Sequence, residues 1–132
     1  MKAVVAQTTG KPPELETSAM VRSWANTNPV TRGIAGLKVR SAQGKLWISV
    51  QGKATDSPFD WGEVEVEAVY AENATSARGI AFVARYDFGF LETLLEGNVN
   101  SGLLVLASFH TFRDGSNRAN YFSREFFHEV TP

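Results

Sequence analysis

The sequence predicts an all-β protein, an up-and-down meander barrel of eight antiparallel strands. Short runs of alternating apolar and polar residues recur from Met20 onward, and clusters of Gly, Asn and Asp separate them. No window keeps apolar residues at helical spacing for two turns. The short hairpin connections favour this barrel over the alternative, a two-sheet β-sandwich with Greek-key crossings.

The first half of the chain supplies four predicted strands. In the fourth, Val64, Val66, Ala68 and Tyr70 alternate with glutamates, so one face is expected to be buried and the other hydrated. The four strands are expected at residues 20–24, 32–41, 45–52 and 62–71.

The second half supplies the other four strands. Arg85 and Asp87 share one face of the strand whose other face is aromatic. The pair is either a solvated outer pair or, if it points inward, a charged element in a cavity. The Asp114-Gly115 dipeptide predicts the last hairpin turn. These strands are expected at residues 77–87, 90–98, 103–112 and 120–129.

The composition excludes several classes of site. The chain has 132 residues, enough for one domain, and no cysteine, which excludes disulfides and thiolate metal sites. The 13 Lys and Arg against 14 Asp and Glu argue against a nucleic-acid partner. The two histidines argue against a polyhistidine metal site. No metal and no cofactor are expected.

Residues 1–19 are predicted to form a flexible N-terminal arm, and residues 20–132 a single barrel domain. The arm is polar, contains Pro12 and Pro13, and lacks any period. Only four apolar residues follow Lys2, too few for a secretory signal, so a cytoplasmic location is the default and the compartment is otherwise unknown. No apolar run is long enough to span a membrane.

Two segments resemble the avidin–streptavidin and lipocalin families of calycin-type barrels. In residues 23–29, Trp24 and Asn26 stand like the Trp and Asn of the first avidin strand, and residues 115–121 look like the last avidin hairpin. The resemblance implies a barrel with Trp24 plugging one end, Asn26 bonding a small ligand at one mouth, and a late arginine, Arg124, over the early tryptophan.

The sequence also departs from these families. Arg22 stands where the avidin strand has glycine, and Phe82, Tyr86 and Phe90 occupy the middle strands in which avidins carry pocket tryptophans. The resemblance therefore supports a ligand-binding barrel and gives little support for biotin as its ligand.

The predicted ligand site combines aromatic rings with polar groups near one barrel mouth. Trp61 follows a long loop and could cover a pocket, or it could pack on the rim. Four polar side chains could bind a ligand, or they could stabilise turns by hydrogen bonding to nearby backbone groups. They are those of Asn26, Asn28, Asp60 and Asn120. The predicted ligand-binding residues are Trp24, Asn26, Asn28, Asp60, Trp61, Tyr86, Asn120 and Tyr121.

No catalytic residue is predicted. His110 lies on one face of a strand without a Ser-His-Asp or Cys-His arrangement in the sequence, so a packed or rim position is expected for it. His128 lies close to the C-terminal end of the sequence and is given no role either.

Three functions are compatible with this sequence. The first is a non-enzymatic barrel that binds a small, partly apolar molecule in an aromatic-lined cavity. The second is a cofactor-free cyclase or isomerase in the same cavity, which an inward His110 or an inward Arg85–Asp87 pair would favour. The third is a protein-interaction or oligomerisation module with a filled core.

The strand at residues 103–112 is apolar on both faces. Leu103, Val105 and Phe109 fall on the face opposite Leu104 and Leu106. Since a barrel strand needs only its inner face to be apolar, the outer face is expected to be covered by the arm or by a second subunit. The sequence therefore predicts a homo-oligomer, most simply a dimer.

Overall fold

The computed structural model describes residues 13–131, which form one antiparallel sheet of nine strands without a helix. The strand order across the sheet is β4-β3-β2-β1-β9-β8-β7-β6-β5, an up-and-down arrangement. The strands are β1 (Ser23–Asn26), β2 (Ile34–Ala42), β3 (Lys45–Gly52), β4 (Asp60–Glu65), β5 (Ala68–Ala71), β6 (Gly79–Asp87), β7 (Leu91–Asn100), β8 (Leu103–Phe112) and β9 (Tyr121–Glu129).

The sheet curls into a barrel because one run of chain pairs with both of its edges. The Val66 N–H donates to the carbonyl of Leu46 on β3 at 2.9 Å. The next N–H, that of Glu67, donates to the carbonyl of Val83 on β6 at 2.8 Å. The predicted all-β barrel is confirmed, and the predicted fourth strand is the two short strands β4 and β5.

The break between β4 and β5 changes which side chains face inward. Val66 is buried, and three residues later Val69 packs against the core opposite Phe82. Tyr70 is 54% exposed. The prediction that Tyr70 shares a buried face with Val64 and Val66 is therefore wrong, because simple alternation does not continue through the crossing.

The barrel interior changes from apolar to polar along β8 and β9. Leu104 faces Phe127 across the two strands near one end, and both side chains are fully buried. Towards the other end the facing pairs become Leu106 with Glu125, Ser108 with Ser123, and His110 with Tyr121. Small and polar interior residues therefore collect at the end where β8 finishes and β9 begins.

The opposite end of the barrel is closed by residues 16–20. The backbone of Glu16 exchanges hydrogen bonds with Ala77 and Gly79, and Met20 is fully buried. The indole N–H of Trp24 donates to the Met20 carbonyl at 3.1 Å. Of the predicted arm, residues 1–12 lie outside the described residues.

Charged side chains cover much of the outer face. Arg85 pairs with Glu67 and Glu92, and Asp87 accepts a bond from the Gly89 N–H, so the outer alternative for Arg85 and Asp87 is the one observed. The guanidinium of Arg124 lies 5.7 Å from the ring of Phe126.

The expected contact of Arg124 with Trp24 is therefore wrong. Alternation along β9 turns Ser123 and Glu125 inward, which directs Arg124 outward. The described residues 13–131 contain no helix long and apolar enough to cross a membrane.

Candidate functional site

A cavity of about 320 Å³ lies at the end of the barrel opposite Met20. Strand β9 supplies three of its lining residues, and the loops before β2 and after β3 supply others. We call it the inner cavity, and its lining residues are Arg32, Gly33, Ile34, Ala54, Trp61, His110, Tyr121, Ser123 and Glu125.

His110 is a buried wall residue, 6% exposed. Its Nδ1 lies 2.9 Å from the Thr93 hydroxyl, and its ring stacks on Tyr121 with the centroids 4.2 Å apart. Burial lowers the pKa of His110, and the charges of Asp56 and Glu125 only partly oppose this effect. The imidazole is therefore neutral at pH 7, and its Nε2 makes no hydrogen bond with the described residues.

Tyr121 links the wall to the loop after β3. Its hydroxyl donates to Asp56 Oδ2 at 2.8 Å. Burial, together with this bond to a carboxylate, raises the pKa of the Tyr121 phenol. The phenol therefore keeps its proton, and the Asp56–Tyr121–His110 stack presents one carboxylate, one phenol and one neutral imidazole.

Glu125 fixes the loop between β1 and β2 against the cavity. Its carboxylate accepts bonds from Asn26 Nδ2 at 2.6 Å, Thr31 Oγ1 at 2.5 Å and the Ile34 N–H at 3.1 Å. A side chain at Gly33 would collide with this carboxylate, so glycine permits the close approach. The cavity wall is thereby held by a carboxylate with three donors.

An aromatic cluster supports the wall from behind. Trp61 meets Tyr86 edge-to-face at 5.2 Å and Phe88 at 5.3 Å. The Tyr86 hydroxyl lies within hydrogen-bond distance of the carbonyl oxygens of Ile48, at 3.0 Å, and Gly62, at 2.8 Å. Burial raises the pKa of Tyr86, which remains a donor. The Trp61 ring is therefore held in a fixed orientation.

The structure brings together only part of the predicted site. Trp61 and Tyr121 line the inner cavity, and Tyr86 packs behind Trp61. Asn26 does not line the cavity but donates a hydrogen bond to Glu125, which does. Trp24 lies at the opposite end, near Met20.

The remaining three predicted residues serve loops at the cavity end. Asn28, Asp60 and Asn120 accept bonds through their side-chain oxygens, from backbone N–H groups of Val30, Gly62 and Phe112 respectively. None of the three lines the inner cavity.

Sequence reasoning missed His110, Ser123 and Glu125 as cavity residues. A signal was present, because Ser123 and Glu125 share a strand face with Tyr121 and Phe127, and polar residues on an inner barrel face mark a cavity. Thr93 is the cross-strand neighbour of His110 on β7. The contact of Asp56 with Tyr121 joins residues 65 positions apart, and no local sequence pattern indicates it.

Comparisons with models of protein families, with curated proteins and with solved structures found no match. The resemblance to the avidin–streptavidin and lipocalin barrels therefore stays a prediction.

Replacing Glu125 should destabilise the fold through the β1–β2 loop. We expect Glu125→Ala to lower the free energy of unfolding by about 2–4 kcal/mol, since three donors lose a charged acceptor. Urea unfolding measures this change. Glu129→Ala, four residues along β9 in an exposed ion pair with Arg22, serves as control and should cost less than about 1 kcal/mol. Equal losses in the two variants would contradict the role given to Glu125.

The buried imidazole should make stability depend on pH. The folded-state pKa of His110 lies below its usual 6.5, so the unfolded chain binds this proton first as the pH falls. Stability due to neutral His110 is present above about pH 6.5 and falls by up to about 1.4 kcal/mol per pH unit below it. Unfolding between about pH 7.5 and 5.5 should show a smaller loss in His110→Gln than in the wild type. A wild-type slope in His110→Gln would refute the assignment.

Proposed function

We propose that the protein binds a small, partly apolar organic molecule in the inner cavity. The observation that carries this proposal is the cavity itself, about 320 Å³ of space inside the mouth of a barrel. Sites for small molecules are concave, mostly apolar, and carry a few placed polar groups. Here Ile34, Ala54 and Trp61 supply apolar surface, while His110 and Tyr121 supply polar atoms.

The fixed wall supports a binding role. Glu125 ties down the β1–β2 loop, and the Tyr86 hydroxyl and Phe88 brace Trp61. A preformed site binds with a smaller loss of conformational entropy than a site that must first order itself. The arrangement therefore favours a ligand that enters without large rearrangement of these strands.

Within residues 13–131, three buried polar atoms without partners lie in the β3–β4 loop and at the start of β4, the segments that supply Ala54 and Trp61 to the inner cavity. Among the described residues, Asp56 Oδ1, Ser57 Oγ and Trp61 Nε1 are buried without a hydrogen-bond partner. Such atoms are uncommon, and each costs about 1–3 kcal/mol when left unpaired. Their concentration in one loop and the adjoining strand is typical of a region kept for binding rather than for stability.

A cofactor-free isomerase or cyclase is the second candidate, and the position of His110 favours it. A neutral imidazole whose Nδ1 is held by Thr93 has Nε2 left to take or give a proton at a bound molecule. Arg85 and Asp87 lie outside the barrel and contribute nothing to this alternative. A binder would return its ligand unchanged, whereas an enzyme would convert it.

The outer face of β8 and β9 carries exposed aromatic rings, which support the predicted homo-oligomer. Phe109, Phe122 and Phe126 are 40%, 56% and 41% exposed. Glu96 and Arg124 flank Ala107 on this face, and neither forms an ion pair within residues 13–131. A second copy related by a twofold axis would cover the rings and set each Arg124 near the other copy's Glu96. We propose a homodimer through this face.

The cavity proposal predicts binding of a neutral aromatic probe. N-phenyl-1-naphthylamine should bind with enhanced fluorescence, and Ser123→Leu should weaken binding by at least about tenfold by filling the space. Ala54→Leu fills it from the opposite loop and serves as a second variant. Ser49→Leu, the same change on the outer face of β3, should bind like the wild type. Unchanged binding in folded Ser123→Leu and Ala54→Leu proteins would refute the proposal.

The dimer proposal predicts the effect of a single charge. Sedimentation equilibrium at micromolar concentration should show a dimer for the wild type and a monomer for Phe122→Glu, because a carboxylate would be buried in an apolar contact. Phe59→Glu changes an exposed ring outside this face and should remain dimeric. A monomeric wild type would rule out the proposed assembly.

A further inference from the structure

A second depression opens beside the inner cavity and shares three of its residues. Its volume is about 550 Å³, and we call it the outer basin. Arg32, Ala54 and Tyr121 line both spaces, so the two adjoin along these residues. The outer basin is lined by Arg32, Lys53, Ala54, Thr55, Asp56, Phe112, Arg118, Ala119 and Tyr121.

The outer basin is positively charged, although the whole chain is close to neutral. Three cationic side chains, Arg32, Lys53 and Arg118, line it together with one carboxylate, that of Asp56. Asp56 accepts a bond at Oδ2 from the neutral Tyr121 phenol and keeps its charge, so three cations face one carboxylate. The basin therefore offers more positive charge than its own carboxylate can balance.

Two of these cations have no carboxylate partner in the described part of the chain. Arg118 donates to Asp114 at 2.7 Å and lies over the Phe112 ring at 4.3 Å. Arg32 and Lys53 form neither an ion pair nor a side-chain hydrogen bond within residues 13–131. Most other cations of the barrel surface are paired, as Arg40 is with Glu63. Lys38, Arg78 and Arg124 also form no ion pair within residues 13–131, but of the unpaired cations only Arg32 and Lys53 line the space beside the inner cavity.

The inner cavity, in contrast, is poorly suited to a charged group at its centre. Its one carboxylate, Glu125, is taken up by three donors, and apolar Ile34 and Trp61 occupy the wall. Its one cation, Arg32, also lines the outer basin. Placing an unpaired charge against such a wall is costly. A ligand with one charged end would therefore hold that end in the outer basin.

We infer that the ligand is an amphipathic organic anion, whose apolar body fills the inner cavity and whose carboxylate or sulfonate group meets Arg32 and Lys53 in the outer basin. This inference rests on the proposed function, because it assigns a chemical class to the molecule in the same cavity. Arginine and lysine are the side chains that bind such oxyanions, arginine through a planar fork of donors.

Two probes with the same ring skeleton test the inference. N-phenyl-1-naphthylamine is neutral, and 8-anilinonaphthalene-1-sulfonate carries in addition one sulfonate. The wild type should bind the sulfonate probe about three- to tenfold more tightly, the range for a partly solvated charge contact. Lys53→Ala changes a residue that lines only the outer basin, and it should reduce this preference while the affinity for the neutral probe stays unchanged. Adding Arg32→Ala should abolish the preference, measured as the ratio of the two affinities.

Matched controls separate charge from position. Lys38→Ala, Arg78→Ala removes two cations away from the cavity end and should keep the preference. Ser123→Leu should weaken both probes, and a sulfonate probe that still binds this variant fully is held outside the inner cavity, which would overturn the inference.

The possible failures are distinguishable. If the neutral probe binds the inner cavity but the sulfonate adds nothing, or if its advantage survives in the Arg32 and Lys53 double variant, only the anion inference is lost. If neither probe binds, the proposed function fails together with the inference.

Discussion

The barrel and its cavity depend on a single crossing of the chain between the two sides of one curled sheet. Between Val66 and Glu67 two consecutive N–H groups donate to strands on opposite edges, β3 and β6. The run from Asp60 to Ala71 thereby pairs with backbone groups of β3 and of β6 that would otherwise lie on open edges. The curled sheet also encloses an interior. If β4 and β5 are counted as one strand, eight strands surround it, and a barrel of eight strands has room inside for side chains or for one small molecule.

The two ends of that interior are put to different uses. Near Met20, large apolar side chains such as Phe127 and Phe82 fill the space, and Gly97 lets the Phe82 ring approach the backbone of β7. At the other end, small Ser123 and hydrogen-bonded Glu125 take the inward positions, and space remains. The packed half supplies stability, so the open half can carry neutral His110 and polar atoms without partners.

The alternation of apolar and polar residues predicted much of this fold, but it predicted only a small part of the site. The bounds of β3 and β8 agree with those predicted, because clean alternation between strong turns marks them. The prediction that Tyr70 faces inward is wrong, because the crossing at Val66 interrupts the alternation of inward and outward side chains. Trp61 and Tyr121 were found as aromatic residues beside loops. The roles of His110 and Glu125 depend on partners such as Asp56, which lies 65 residues from Tyr121 in the chain, and on strand register, which local patterns do not determine.

The two histidines can show whether the cavity end of the barrel binds a small molecule. His110 lies in the cavity wall, and His128 lies on the outside near the opposite end, so each reports on its own region. Nuclear magnetic resonance of protein labelled in its histidine rings should show that N-phenyl-1-naphthylamine shifts the His110 signals and leaves those of His128 in place. If saturating probe shifts neither histidine signal, or only that of His128, the small molecule does not bind at the cavity end.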